Sequence, residues 1–175
     1  MRIAVTGTPG TGKTTATSLL ESRPGTGGDL EVINLGDIIE SEGLYTSIDE
    51  DRDSKIADLE AIDAWLDGRT DIVLESHLAH HFHADRVAVL RCHPRELKSR
   101  LLDRGESEQK ARENAESEAL DVILVEAVER HGLESVYEID TTDRAPDAVA
   151  GELEAVVRGD SEPSAGEVDY VGYLS

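Results

Sequence analysis

Nine residues, Gly7-Thr8-Pro9-Gly10-Thr11-Gly12-Lys13-Thr14-Thr15, combine types and spacing that suit phosphate chemistry. The spacing is G-x-x-x-x-G-K-[ST]. It follows the apolar run Ile3-Ala4-Val5 and precedes the helix-permissive segment Ala16 to Glu21. Strand, loop and helix in that order are the context a phosphate-cradling loop requires. Glycines let successive backbone N–H groups turn inward as an anion nest, and the helix N-terminus adds its positive dipole end. Lys13 can reach the β- and γ-phosphates of a nucleoside triphosphate, and the Thr14 hydroxyl can ligate Mg²⁺.

Three other groupings could do chemistry. Glu75-Ser76-His77 closes the apolar run Ile72-Val73-Leu74, and an acidic residue at such a strand end holds Mg²⁺ in phosphate-loop proteins. His77 shares that position and faces the phosphates. With His80, His81 and His83 it makes a dense imidazole cluster. Such density suits a transition metal, but no cysteine lies nearby and the spacing matches no common zinc pattern. His80, His81 and His83 therefore read as helix-surface residues. Arg100, Arg104, Lys110 and Arg112 flank a short charged turn in an otherwise acidic chain. They read either as a solvated face with i,i+4 ion pairs or as a mobile flap that brings Arg104 to a transferring phosphoryl group. Cys92, the one cysteine, reads as a small buried hydrophobe.

The elements that must position these groups alternate strand and helix. Strands are expected at Arg2 to Thr6, Glu31 to Asn34, Asp71 to Glu75, Arg86 to Arg91 and Val136 to Ile139. Helices are expected after the loop, from Gly36-Asp37 to near Gly43, over Ile56 to Leu66, and from His93-Pro94. Two more follow, one continuous from about Lys110 to Arg130 and one from Pro146. The acidic stretch Tyr45 to Ser54 carries no assigned element. Alternation of this kind implies right-handed βαβ units, an α/β fold with a five-stranded parallel sheet and helices on both faces. Ligands of such sheets sit at the carboxyl ends of the strands.

The 175 residues suit one compact domain, and their formal net charge is −21. An acidic excess of this size repels itself in dilute salt, whereas a Debye length of about 3 Å at 1 M salt screens it. A halophile's protein is the expectation. The same charge argues against a broad nucleic-acid-binding surface. No apolar run reaches transmembrane length and no leader opens the chain, so a cytoplasmic protein without membrane contact is expected.

Taken together, Gly7 to Thr15, Gly36-Asp37, Glu75-Ser76-His77 and Leu101-Leu102-Asp103-Arg104-Gly105 through Lys110 to Asn114 resemble the adenylate kinase isoenzyme six family. That family includes the coilin-interacting nuclear ATPase and its archaeal relatives. The resemblance spans about residues 1–158 and implies a nucleoside-monophosphate-kinase-like domain, with an NMP-binding insert over about 30–53 and a lid over about 103–113. Residues 159–175 are left as an acidic tail. It implies ATP:AMP phosphotransfer with Mg²⁺, ATPase activity, and a part in small-subunit rRNA maturation with a platform ribosomal protein in pre-ribosomal particles. Gly10, Gly12, Lys13, Thr14 and Thr15 would hold the ATP phosphates, Arg104 would touch ATP, and Arg144 would lie near the adenine. Lys13, Glu75, His77 and Arg104 are the catalytic candidates, and Thr14 and Glu75 the metal ligands. Asp37 falls on the substrate side. The acceptor arginine that ordinary adenylate kinases place three residues after Gly-Asp is Glu40 here. Bases left to meet an acceptor phosphate are Arg52, Lys55, Arg91 and a protonated His77, with Arg91 best placed at its strand end.

Overall fold

A computed structural model describes residues 1–25, 29–51 and 54–175. In chain order the elements are β1 (Arg2–Thr6), α1 (Lys13–Glu21), β2 (Glu31–Asn34), α2 (Leu35–Glu42), β3 (Tyr45–Asp49), β4 (Ser54–Ala57) and α3 (Leu59–Leu66). They continue with β5 (Ile72–Glu75), β6 (Arg86–Arg91), α4 (Pro94–Asp103), α5 (Glu108–Ala119), α6 (Val122–His131), β7 (Val136–Asp140) and α7 (Pro146–Arg158). Five strands form one parallel sheet in the order β2-β5-β1-β6-β7, and β3 and β4 pair as a separate antiparallel hairpin. The expected α/β architecture is present.

β1 lies at the centre of the sheet, with Val5 opposite both Glu75 and Ala88. Its alternate residues feed two cores, because successive strand side chains point to opposite faces. Ala4 packs with Leu74, Val87 and Val89 on the face covered by α3 and α6. Ile3 and Val5 pack with Val73, Ala88 and Leu90 under α1 and α7. Covering helices on both faces bury the whole strand, which is why β1 and β5 read as continuous apolar runs.

The structure departs from the sequence reading in four places. The helix expected from Lys110 to Arg130 is two helices, α5 and α6, broken at Asp121, whose φ is 56°. Aspartate tolerates that left-handed turn, and its carboxylate is held by Arg91 at 2.5 Å. The stretch Tyr45 to Ser54, given no element from sequence, contributes β3 and the start of β4. Ile56 belongs to β4, and α3 begins only at Leu59, where the Asp58 side chain accepts the Ala61 N–H as an N-cap. Residues 159–175 also lie against the domain. Ser164 bonds to Val136 and Glu138, and the Glu138 carboxylate accepts the N–H groups of Glu167 and Val168. This segment covers β7, an edge strand whose polar backbone would otherwise face water.

Candidate active site

The loop between β1 and α1 is shaped by positions only glycine can take. Gly7 has φ 144°, and a Cβ there would lie 2.5 Å from the Leu90 carbonyl oxygen of the neighbouring strand. Gly10 has φ 94°, and its Cβ would press within 2.9 Å of Leu97 on α4. Gly12 caps α1 in the left-handed region with no side-chain bond to the first turn. The first N–H groups of α1 thus keep their donor capacity for an anion.

Lys13 is only 8% exposed, and its ammonium donates to the Gly7 and Thr8 carbonyls at 2.9 and 3.1 Å. Burial pulls its pKa down to about 8, with Arg104 adding to the fall and Glu75 and Glu118 opposing it. Thr14 opens the helix and its hydroxyl lies 3.4 Å from both Glu75 oxygens. Glu75 also accepts from the Asn34 amide at 2.6 Å. Burial raises the Glu75 pKa, against the pull of Lys13. A hydroxyl and a carboxylate converging at the mouth of a phosphate loop are hard oxygen donors, a fit for Mg²⁺.

Arg104 follows α4 and is exposed, with no ion pair or side-chain hydrogen bond among the described residues. It lines the small cavity over Gly10, Gly12, Lys13, Thr14 and Thr15. It also lines an adjoining cavity of about 280 Å³ with Arg100, Thr141, Arg144, Pro146 and Val149. That second cavity has both polar and apolar walls, and Arg144 on its rim bonds the Asp140 carbonyl and Glu152. Arg100 is fixed by Glu96, Gly10 and Thr141.

A third cavity, about 770 Å³, opens beside Pro9 and is lined by His77, Asp51, Ser54, Lys110 and Asn114 among others. It joins the β3–β4 hairpin to the start of α5. The surrounding protein, and then the Lys13 ammonium, push the His77 pKa down to about 4, although the residue is exposed on the cavity wall. His77 is therefore neutral at pH 7. Lys110 pairs with Glu106 at 3.1 Å. Asp37 lies elsewhere, in a groove with Thr14, Asn34 and Glu75.

Arg91 does not fill the role expected of it. Its side chain is 1% exposed and bonds Glu118, Asp121 and Glu138 at 2.8, 2.5 and 2.6 Å. Three carboxylates surround its buried guanidinium, so it is not presented to an acceptor phosphate. Lys55 is likewise taken by Glu40 at 2.8 Å and sits over the Tyr45 ring. Arg52 lies outside the described residues. His80 is buried rather than at the surface, its ring nitrogens meeting the Thr6 hydroxyl at 2.8 Å and Glu126 at 2.7 Å. His81 is half-buried, and His83 is exposed as expected.

Glu118 is the residue that sequence reasoning missed most completely. At 3% exposure it accepts the Thr8 hydroxyl at 2.6 Å, the Cys92 N–H at 3.0 Å and Arg91 at 2.8 Å. It ties the phosphate loop to β6 and to the end of α5. Its signal in the sequence is one Glu among several on a polar helix, and nothing there marks it.

The fold and this loop define a class: the chain belongs to the AAA domain family, whose model matches residues 3–121. Its similarity extends along most or all of the length of archaeal proteins named "Putative adenylate kinase". It is 58% identical to the one from Natronomonas pharaonis over 99% of this chain and 100% of that protein. Against the Halobacterium salinarum protein it is 57% identical over the same shares, and against that of Methanosarcina acetivorans 44% over 90% of this chain and 86% of the other. Among solved structures, a shikimate kinase from Bacteroides thetaiotaomicron superposes with a TM-score of 0.58 at 16% identity, covering 90% of this chain and 98% of that one. A gluconokinase from Sinorhizobium meliloti gives 0.53 at 16%, over 90% and 91%. At that identity the two structures speak for the fold alone.

Proposed function

We propose that this protein is a nucleotide kinase that moves the γ-phosphoryl group of ATP to AMP and also hydrolyses ATP. One observation carries the reading. Lys13, Thr14 and Arg104, the last with no ion pair among the described residues, line one cavity over Gly10–Thr15, and the Thr14 hydroxyl reaches Glu75. An adjoining base-sized cavity shares Gly12, Thr15 and Arg104, and the His77 cavity opens beside Pro9 of the same loop. The names of the archaeal relatives support the same activity.

In this mechanism the loop N–H groups hold the polyphosphate, and Lys13 leaves the Gly7 and Thr8 carbonyls for the phosphoryl oxygens. Mg²⁺ held by Thr14 and Glu75 would neutralise charge on the phosphates. Arg104 swings from the end of α4 onto the charge that develops during transfer, where such arginines act most strongly. An acceptor oxygen entering from the His77 side forms the new P–O bond as the bond to the β-phosphate oxygen breaks, and ADP leaves. Neutral His77 offers a hydrogen-bonding nitrogen that orients the acceptor without adding charge.

Water is a second acceptor favoured by a specific observation. Among the described residues the cations near the acceptor cavity are committed: Lys110 to Glu106, Lys55 to Glu40 and Arg91 to three carboxylates. An AMP dianion meets weak electrostatic attraction there, so AMP phosphorylation is slow and ATP hydrolysis competes. The role in small-subunit rRNA maturation, with a platform ribosomal protein, belongs to the proposal through the family resemblance. The test is ADP formation from ATP with and without AMP in wild type and Lys13→Ala. Turnover that survives Lys13→Ala overturns the reading.

A further inference from the structure

Apart from the crevice, two histidines and a glutamate converge in a way the phosphate chemistry does not use. His80 and His81 lie on a short 3₁₀ turn, Ala79–His81, after β5, and Glu126 projects from α6. One ligand atom from each lies within 4.8 Å of the others. None of the three lines the phosphate, base-sized or His77 cavities.

We propose that His80, His81 and Glu126 bind one divalent transition ion of the zinc or cobalt kind. The donor set is two imidazoles and a carboxylate, which suits such borderline ions and disfavours Mg²⁺ and Ca²⁺, whose sites are built of oxygen. The spacing is close to what an ion needs. With metal–ligand bonds of about 2.0–2.1 Å, tetrahedral ligand atoms stand about 3.3 Å apart. Here Glu126 Oε2 is 2.7 Å from His80 Nε2 and 3.8 Å from His81 Nε2, so the two separations straddle that value. Small rotations of Glu126 and His81 equalise them.

Two further observations point the same way. His81 is the one member without a hydrogen bond to its ring, and its Nδ1 is buried with no partner. A ring placed this way gives up no hydrogen bond when it turns to meet an ion. His80 is held in the manner of a metal ligand, because its Nδ1 meets the Thr6 hydroxyl at 2.8 Å and its carbonyl accepts from His131 at 2.8 Å. Such outer partners fix ring orientation in metal sites. The Glu126 side chain is 41% exposed, which leaves an entry path and room for a water as fourth ligand. Arg130, one turn on along α6, is exposed and opposes the ion only weakly through solvent. A bound ion would pin α6 to the end of β1, next to the phosphate loop.

The test uses the full chain, freed of metal and with no nucleotide present, so its outcome is independent of the kinase reading. Co²⁺ is titrated and followed by its visible absorption, then displaced with Zn²⁺. The expected result is one Co²⁺ per chain with the intense bands of a four-coordinate site, released by Zn²⁺. His81→Ala and Glu126→Gln should each weaken binding by at least about tenfold. Exposed His83→Ala should leave it unchanged, and Mg²⁺ should not compete. Glu126→Gln is half-exposed and keeps its shape, so it reads the site even if His81→Ala folds poorly. No saturable one-to-one binding, or binding that survives both variants, overturns the proposal.

Discussion

The Lys13 ammonium should make ATP affinity fall as pH rises through about 8. Its pKa is pulled down to about 8 by burial in the loop, while polyphosphate in contact with it favours the charged form and raises that pKa in the complex. Below pH 8 both states hold the proton and affinity is flat. Above it only the complex does, so binding must take up a proton and weakens. With a pKa near 8 the charged fraction drops from about nine-tenths at pH 7 to about one-tenth at pH 9. That is about tenfold in Kd, or about 1.4 kcal/mol. The assay is titration with a fluorescent ATP analogue between about pH 6.5 and about pH 9.5 at fixed ionic strength, beside Lys13→Met. The variant should bind weakly at every pH and lose the inflection. A wild-type Kd that stays constant to pH 9.5 would refute the argument, since Lys13 would then be either unshifted or out of contact with phosphate.

Other outcomes follow from the same geometry. Arg104→Ala should lower kcat by about 10³ or more while moving ATP affinity little, because this unpaired guanidinium acts on developing charge; a change confined to KM for ATP would make it a ground-state contact. Thr8→Val removes the hydroxyl held by Glu118 and should cut kcat by about tenfold to a hundredfold through misplacement of the loop, with Thr8→Ser restoring it. Unchanged turnover in Thr8→Val would reduce that bond to a structural one. Glu40→Arg exchanges a carboxylate paired with Lys55 for a cation and releases the lysine. KM for AMP should fall at least about tenfold, in line with a charge-assisted bond of about 1.5–3 kcal/mol, and an unmoved KM would place the acceptor away from α2. The formal charge of −21 should make the melting temperature climb between dilute buffer and molar KCl, as the Debye length falls from about 10 Å at 0.1 M to about 3 Å at 1 M. A flat profile would remove the halophilic reading.

The parts of the fold that the sequence showed are those set by local rules. Gly7 to Thr15 carries its own backbone requirements, and β1, β5 and β6 are apolar because both faces of the sheet are covered. Pro94 and Pro146 each stand at the start of a helix, where a missing N–H costs nothing. What stayed hidden depends on partners distant in the chain. Arg91 at a strand end looks like a ligand-binding cation, and only the folded chain brings Glu118, Asp121 and Glu138 around it. The same ion cluster turns the chain at Asp121, so a helical repeat that runs unbroken in sequence splits in two. The hairpin of β3 and β4 was missed because Ile48 and Ile56 are exposed and no buried face imposes alternation. His80 was misplaced for the opposite reason. Its burial rests on Thr6 and Glu126, far from it in sequence on either side.

The central claim is that the Lys13 loop delivers the γ-phosphoryl group of ATP to an acceptor in the His77 cavity. Nucleotide chromatography after incubation with ATP and Mg²⁺, with each nucleoside monophosphate in turn and with none, tests it most directly. The account requires ADP in every reaction, a further rise in ADP with AMP beyond hydrolysis alone, and loss of both in Lys13→Ala. Intact ATP in all reactions, or ADP formation that persists in Lys13→Ala, would contradict it.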